Sequence, residues 1–196
     1  MKSMRKSIQS LKTPCGVKQK KALMRTRKKE ELRHLARSYI EQSDAAIAQK
    51  LSELPEYKNA KTIFAYYSVG REVSTHAIIR AAVQSGRRVA LPVCGAGGHM
   101  HFRLADDLDG LAPGKFGIPE PVKGDAVTPG EDDIIIVPAL CCDKYNNRLG
   151  RGAGYYDRYL AEHPCFSVCL CRAQLLEDII PTENTDARVS AVISDA

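Results

Sequence analysis

The chain has 196 residues, enough to bury a full hydrophobic core, and one domain is the expected count. Its net charge of +6 is uneven, because residues 1–30 hold eleven of the 29 Lys and Arg but only one of the 23 Asp and Glu, which leaves the remainder mildly acidic. This distribution argues against a surface built throughout for nucleic acid, and the longest apolar runs, such as residues 134–140, are far shorter than the ~20 residues of a membrane span.

The N-terminal segment, residues 1–17, is basic but has no apolar stretch of the kind found in secretory signals. We interpret it as a flexible extension of a single domain at residues 18–196, although its Arg, Lys and Ser content would also suit an organelle transit peptide. The seven cysteines show neither a Cys-x-x-Cys pair nor an even framework, so they are predicted to stay reduced in a cytoplasmic protein. A zinc site assembled from distant Cys and His is the alternative.

Two helices are predicted at the start of the domain. A helix is predicted from near Lys18, because apolar residues spaced i, i+3, i+4, i+7 and i+8 share one of its faces: Leu32, Leu35, Ala36, Tyr39 and Ile40. Ser43 is predicted to cap a second helix, after which Pro55 follows. Strands are then predicted at Thr62–Tyr67, Arg88–Val93 and His101–Leu104, with a helix capped by Ser74 and ended by Gly86 between the first two.

The second half of the chain continues the alternation of strand and helix. Residues 106–130 are rich in Gly, Pro and Asp, and so long an irregular segment predicts a functional loop or covering flap. Asp133–Val137 is an unbroken apolar strand, which is typical of a sheet buried on both faces. A helix at residues 154–162 and strands at Phe166–Leu170 and Arg188–Ile193 complete a layered α/β fold.

A glycine-rich loop, residues 148–158, follows the buried strand and opens a helix. Its alternating glycines, Gly150, Gly152 and Gly154, let backbone N–H groups approach an anion closely, and the helix adds its positive N-terminal end. Ligands of open α/β sheets bind beyond the carboxyl ends of strands, where this loop is expected to lie. The sequence therefore predicts an anion site.

Charged residues of the loop suit a phosphate and a metal. Arg148 and Arg151 provide planar donors for phosphate oxygens, and Asp157 is one turn into the helix, where a carboxylate could hold Mg²⁺. The spacing matches neither the Walker A motif nor the dinucleotide fingerprint. On these residues alone the anion stays unnamed, and a solvated glycine turn is the simpler alternative.

The segment NRLGRGAGYYDRYL, residues 147–160, resembles the signature of the 5-formyltetrahydrofolate cyclo-ligase family. Five further blocks occur along the chain in the family's order, and the resemblance runs from about Lys20 to the C-terminus. These blocks are Lys21-x-x-Met24-Arg25, Tyr67-Ser68-x-x-x-Glu72-Val73-x-Thr75, Arg88–Val93, Phe116–Pro121 and Ile136–Leu140. The resemblance implies a three-layer α/β/α sandwich with a mostly parallel or mixed sheet.

The activity implied by the resemblance is ATP- and Mg²⁺-dependent closure of 5-formyltetrahydrofolate to 5,10-methenyltetrahydrofolate, with release of ADP and phosphate. Lys21, Arg148 and Arg151 would be catalytic, and Asp157 and Asp186 would hold Mg²⁺. The implied ATP contacts are Lys21, Arg25, Arg148, Leu149, Gly150, Arg151, Gly152, Ala153, Gly154, Tyr155 and Tyr156. The implied folate contacts are Tyr67, Glu72, Arg151, Gly152, Ala153, Gly154 and Tyr155.

Some residues depart from the family's usual pattern. Cys141-Cys142 stands where Ala-Phe is common, Asn146-Asn147 where a turn glycine is usual, and Thr185-Asp186 where His-Asp is frequent. The partners expected are the folate and ATP, without nucleic acid or membrane, for a monomer or weak dimer. Two alternatives stay open here: another nucleotide- or phosphosugar-binding α/β enzyme that shares only the anion loop, and a nucleic-acid-binding module that uses the basic arm.

Overall fold

The computed structural model describes residues 16–105 and 108–196. Apart from its last two residues, the predicted N-terminal extension lies outside this part of the chain. The helices are α1 (Val17–His34), α2 (Arg37–Glu53), α3 (Pro55–Asn59), α4 (His76–Gln84) and α5 (Tyr155–Glu162). The strands are β1 (Thr62–Ala65), β2 (Arg88–Cys94), β3 (Met100–Leu104), β4 (Leu111–Pro113), β5 (Pro119–Pro121), β6 (Ala126–Val127), β7 (Ile134–Val137), β8 (Cys141–Cys142), β9 (Arg148–Leu149), β10 (Phe166–Leu170) and β11 (Ala191–Ile193).

A seven-stranded mixed sheet with the order β11-β10-β7-β1-β2-β3-β6 forms the centre of the fold. The five strands from β11 to β2 are parallel, and β3 and β6 continue the sheet in antiparallel pairs. Ile63 in β1 pairs with Val89 of β2 and with Ile134 of β7, so the apolar run at 134–137 is buried between neighbours. This confirms the predicted mostly parallel or mixed sheet.

Alternating side chains of the sheet pack into two separate cores. Ile134 and Ile136 lie in the core that contains Ile47 and Leu51 of α2 and Ile79 of α4. The intervening Ile135 and Val137 lie in the core that contains Tyr159 and Leu160 of α5. Because successive strand residues point to opposite faces, helices cover both faces of the sheet, which confirms the three-layer α/β/α architecture. In the described ranges no helix is both long enough and apolar enough to cross a membrane.

The first helical segment ends earlier than its periodicity predicts. The chain turns extended at Leu35 and Ala36, with ψ of 133° and 142°, and a new helix starts at Arg37. The Arg71 side chain donates hydrogen bonds to the carbonyl oxygens of Leu32 and Leu35, so it satisfies groups that an uninterrupted helix would have bonded internally. The predicted single helical face through Leu32–Ile40 is therefore wrong.

Two predicted helix caps are also wrong. Ser43 lies buried inside α2, where its Oγ donates to the carbonyl oxygen of Ile40 at 3.0 Å, and Ala36 is the N-cap instead. The N-cap of α4 is Thr75 rather than Ser74. The Thr75 hydroxyl donates to the carbonyl oxygen of Tyr66 at 2.6 Å, which ties this helix to the end of β1.

The predicted flap is only partly irregular. β4 and β5 form an antiparallel hairpin, and β6 joins the main sheet beside β3. Phe116, at the tip of the hairpin, has a φ of +68° and is 66% exposed. The flap therefore presents an exposed aromatic ring on a tight turn.

Candidate active site

The candidate site lies where the sheet topology reverses. From β1 the chain runs outward to β2 on one side, whereas β7, β10 and β11 extend the sheet on the other. The segment after β1 carries Glu72, and the segment after β7 leads to the glycine-rich loop. Crevices of this kind, beyond the carboxyl ends of strands at a topological switch point, are the usual ligand sites of open α/β sheets.

A small hairpin of β8 and β9 delivers the chain to the glycine-rich loop. Its turn includes Asn146 with a φ of +63°, a conformation that Asn tolerates better than most residues. Asp143 fixes the turn, because its carboxylate accepts hydrogen bonds from the backbone N–H groups of Tyr145, Asn147 and Ile180 and from the Asn147 side chain. Burial opposes the charged form, but these hydrogen bonds lower the pKa of Asp143. Sequence reasoning missed this residue.

Glycines of the loop are required where α1 and α5 approach. Gly152 has a φ of +105°, and a Cβ there would lie 3.3 Å from the Arg25 guanidinium carbon. Gly154 has a φ of +70°, and a Cβ would lie 2.8 Å from Nη1 of Arg158. Arg25 also donates through Nε to the Gly150 carbonyl oxygen at 3.0 Å. The loop and α1 are thus in direct contact, although 125 residues separate these two partners.

The buried Arg148 side chain forms an ion pair inside the loop. Its Nη2 lies 2.9 Å from Asp157 Oδ1, which also accepts the backbone N–H of Ala187 at 3.3 Å. Nε of Arg148 is buried and has no hydrogen-bond partner among the described residues. Because buried donors are nearly always paired, this orphaned donor marks the loop as a place where an acceptor is expected.

The second cation of the site, Lys21 of α1, is also buried and paired. Its ammonium lies 2.6 and 2.7 Å from the two oxygens of Asp186 and 3.2 Å from Glu183. Burial opposes ionisation of Asp186, but the hydrogen bonds from Lys21 and from the Glu183 backbone N–H lower the pKa of Asp186. Since Asp157 is bonded to Ala187, the next residue after Asp186, both predicted metal ligands lie in one region.

Arg151 and Glu72 connect the loop to the segment after β1. Nη2 of Arg151 lies 2.7 Å from Glu72 Oε1, and the second carboxylate oxygen accepts the Val69 N–H at 2.9 Å. The Arg151 side chain is 58% exposed whereas that of Glu72 is 13% exposed. The carboxylate is therefore held firmly, while its arginine partner reaches it from solvent.

Aromatic residues predicted for the site fall into three environments. Tyr155 lies beneath the flap, where Lys115 Nζ donates to its hydroxyl at 3.0 Å and its ring is 6.3 Å from that of Phe116. Tyr67 stacks on His76, with centroids 4.5 Å apart. The Tyr156 hydroxyl is buried and unpaired within the described ranges. Tyr155 is thus the member of this group closest to the exposed flap.

Two other predicted ATP contacts have structural partners. Leu149 is buried against Cys141 and Ile180, and its carbonyl oxygen accepts the Leu140 N–H at 2.8 Å. The Ala153 carbonyl oxygen accepts Nη2 of Arg158 at 2.8 Å. The same guanidinium donates to Gly98, so Arg158 joins the glycine-rich loop to the turn between β2 and β3.

A fully buried arginine that sequence reasoning missed supports Glu72. Arg172, 1% exposed, follows β10 and donates to the carbonyl oxygens of Arg71 and Glu72 at 3.0 and 3.3 Å. It also donates to Ser43 Oγ and pairs with Asp44. No local pattern signals such a residue, because its partners lie in two distant segments, residues 43–44 and 71–72.

The donor set for a metal ion is small. Over the described residues there is no group of three or more His, Cys, Asp or Glu side chains that could hold an ion, so the zinc alternative finds no support there. The neighbouring carboxylates Asp157 and Asp186 supply oxygen donors. Mg²⁺ typically binds one or two carboxylates and takes its other ligands from water and substrate phosphates, so this pair fits it.

Sequence relatives of the chain are similar over most of its length. A probable 5-formyltetrahydrofolate cyclo-ligase of Schizosaccharomyces pombe is 28% identical over 89% of this chain and 95% of the relative. The 5-formyltetrahydrofolate cyclo-ligase of Mus musculus is 30% identical over 87% of this chain and 91% of the relative. That of Mycolicibacterium smegmatis is 36% identical over 69% and 74%, respectively.

Two solved structures are also similar to the chain in fold. An Aquifex aeolicus 5,10-methenyltetrahydrofolate synthetase superposes with a TM-score of 0.79 at 26% identity, over 89% of each chain. A Mycoplasma pneumoniae 5,10-methenyltetrahydrofolate synthetase, 22% identical, covers 90% of this chain and 99% of its own with a TM-score of 0.72, which supports the fold alone. The 5-formyltetrahydrofolate cyclo-ligase family model matches residues 17–195. The chain therefore belongs to the 5-formyltetrahydrofolate cyclo-ligase family.

Proposed function

We propose that this chain is an enzyme that converts 5-formyltetrahydrofolate to 5,10-methenyltetrahydrofolate with ATP and Mg²⁺, releasing ADP and phosphate. The observation that carries the proposal is the contact between α1 and the glycine-rich loop. Lys21 and Arg25 come from the start of the chain, yet they bond to Asp186 and to the Gly150 carbonyl oxygen of the glycine-rich loop, which lie far along the sequence. Phosphoryl transfer depends mainly on such convergent cationic groups and on positioning.

The nucleotide phosphates would lie between α1 and the loop. Lys21, Arg25 and Arg148 supply positive charge there, and the glycines allow backbone N–H groups to approach. Each of these cations already has a partner: Asp186 for Lys21, the Gly150 carbonyl for Arg25 and Asp157 for Arg148. We expect phosphate oxygens to take over part of these contacts, which releases both carboxylates.

Asp157 and Asp186 would then hold Mg²⁺, which when bound neutralises charge on the triphosphate. The two neighbouring carboxylates supply oxygen donors that suit Mg²⁺. Each is paired with a cation in this structure, and the phosphate oxygens of the nucleotide would bind that cation instead.

The folate would lie on the other side of the loop, toward Glu72. A carboxylate that is 13% exposed and held by the Val69 N–H suits the amino and ring N–H donors of a pterin. Tyr67 and Tyr155 would provide flat contacts, and the flap with Phe116 lies over Tyr155. Arg151, which bridges loop and Glu72, would stand between the folate and the nucleotide.

This arrangement suits a two-step reaction. The formyl oxygen attacks the γ-phosphorus and ADP leaves; N10 then bonds to the formyl carbon and loses its proton, and phosphate leaves with that oxygen. Lys21, Arg148 and Arg151 would stabilise the negative charge that develops on the transferred group. The protein's part is orientation and electrostatics, without a covalent intermediate on the chain.

The setting proposed is the cytoplasm. The six cysteines that the structure describes are all free, which suits a reducing compartment. We also keep the expectation of a monomer or weak dimer, and its measurement is sedimentation of the purified protein.

The direct test is turnover. The protein is incubated with 5-formyltetrahydrofolate and MgATP, and the absorbance of the methenyl product is followed; absence of product with every nucleotide tried would refute the proposal. Two variants test the nucleotide site and the folate site separately. Lys21→Met should raise the KM for ATP and Glu72→Gln the KM for the folate, each by roughly ten- to a hundredfold, because a hydrogen bond to a charged group contributes about 1.5–3 kcal/mol.

A further inference from the structure

Helix α1 docks on the body of the protein through charge. Among its 18 residues the only buried ones are Lys21 and Lys28. Its apolar contacts are limited to the partly buried Met24 and Leu32, and Leu23 is 68% exposed. Most helices are held to their domain by an apolar stripe, so the placement of this helix depends largely on its ion pairs and on hydrogen bonds to charged side chains.

Lys28 is the best buried charge of the helix. It is 2% exposed, and its ammonium pairs with Glu177 and, at 2.7 Å, with Glu31. Burial alone would lower the pKa of Lys28, but the hydrogen bonds to Glu177 and Glu31 raise it above its ordinary value. Arg27 adds a second contact to Glu177 at 2.8 Å. The ammonium therefore stays charged at neutral pH.

Glu177 is fixed to the hairpin that carries the glycine-rich loop. Its backbone N–H donates to the Cys142 carbonyl oxygen at 2.9 Å, and residues 143 and 177 form a parallel bridge. Cys142 of β8 pairs with Arg148 of β9. The Lys28–Glu177 pair therefore joins α1 to the same hairpin from which Arg148 enters the site.

The spacing of the three cations sets the rotation of the helix. Lys21, Arg25 and Lys28 are at i, i+4 and i+7, which places them on one face. With Lys28 locked at one end of this face, Lys21 and Arg25 can point only toward Asp186 and the loop. Release of Lys28 would remove the most deeply buried ion pair of the helix. The Lys21 ion pair, the Arg25 contact, the exposed Arg27–Glu177 pair, the packing of Met24 and Leu32, and the bond from Arg71 to the Leu32 carbonyl oxygen would remain.

We infer that Lys28 is a positioning residue for the nucleotide: its buried pair with Glu177 holds α1 in the rotation that presents Lys21 and Arg25 to the phosphates. The inference rests on the proposed function. It predicts that loss of the Lys28 ammonium weakens ATP binding although Lys28 is not among the proposed nucleotide contacts. The folate side of the site, anchored by Arg172 and Glu72, would be spared.

The test compares Lys28→Met with Lys29→Met, its exposed neighbour on α1. Displacement of a binding group by about 1 Å can cost up to a hundredfold, so Lys28→Met should raise the KM for ATP by about tenfold or more and leave the KM for the folate within about twofold. Lys28→Arg, which keeps the charge, should restore most of the affinity. Lys29→Met should match the parent protein.

Hydrogen exchange of the α1 amides, measured without any ligand, provides a second readout. In Lys28→Met, the amides of α1 should exchange faster than in the parent protein, whereas those of β1 and β7 should exchange at the same rate. An active Lys28→Met protein with unchanged KM for ATP, or with unchanged protection of α1, would overturn the inference. Failure of the proposed function looks different: the parent protein would form no product, while the loss of α1 protection in Lys28→Met would still be seen.

Discussion

At the scale of single residues, we expect the hydroxyl of Tyr156 to be removable without loss of stability. It is buried and has no hydrogen-bond partner among the described residues, and burial raises the pKa of Tyr156 far above its ordinary value. An unpaired buried hydroxyl carries a desolvation penalty of about 1–3 kcal/mol. Tyr156→Phe is therefore expected to leave the free energy of unfolding unchanged or to raise it by about 1 kcal/mol, measured by urea denaturation.

Tyr66→Phe is the matched control at this scale. The Tyr66 hydroxyl is equally buried but donates to the Val73 carbonyl oxygen at 2.7 Å, so its removal leaves that acceptor unpaired and should cost about 1–2 kcal/mol. If Tyr156→Phe were the more destabilising of the two, the hydroxyl would have a partner that the fold does not show. A higher KM for ATP in Tyr156→Phe would show that the predicted nucleotide contact of Tyr156 is made by its hydroxyl.

At the scale of elements, the break between α1 and α2 depends on Arg71. Its guanidinium bonds the carbonyls of Leu32 and Leu35, which are otherwise orphaned at the helix end. Arg71→Met should cost about 2 kcal/mol in the free energy of unfolding, because hydrogen bonds from charged donors contribute about 1.5–3 kcal/mol. Arg80→Met, on the exposed side of α4, should change it by less than about 0.5 kcal/mol in the same denaturation series.

This break also shows where sequence reasoning stops. Periodicity correctly predicted β1, β2, β7 and β10, because apolar runs buried between neighbouring strands carry a local signal. The helix break has no local signal, since the arginine that stabilises it lies 36 to 39 residues downstream. The same limit applies to Arg172 and Lys28. The glycine-rich loop could be identified as an anion site, whereas the residues that hold it in place become visible only once distant segments meet.

At the scale of the whole molecule, we expect buried and half-buried carboxylates to set the response to acid. Asp143, Asp186 and Glu177 all have a pKa below the ordinary value, because the hydrogen bonds around each outweigh its burial, with cations adding to the effect at Asp186 and Glu177. Such groups stabilise the fold above their unfolded pKa, near 4, and this contribution is lost as pH falls through the lower folded value. Asp44 acts in the opposite sense, since burial raises its pKa, but it is one group against three.

Stability should therefore fall steeply below about pH 4, and Asp143 should account for a measurable part of the slope. Both of its oxygens accept only N–H donors, two on each, so Asp143→Asn turns an amide N–H₂ toward other donors. We expect it to cost about 1–3 kcal/mol at pH 7 and to flatten the decline between pH 5 and pH 3, measured by urea denaturation at each pH. Glu56→Gln, an exposed change on α3, should leave the slope as it is. An unaltered slope in Asp143→Asn would mean that the hairpin leading to the glycine-rich loop does not depend on this carboxylate, and that the lowered pKa of Asp186 and Glu177 carries the acid response of the molecule.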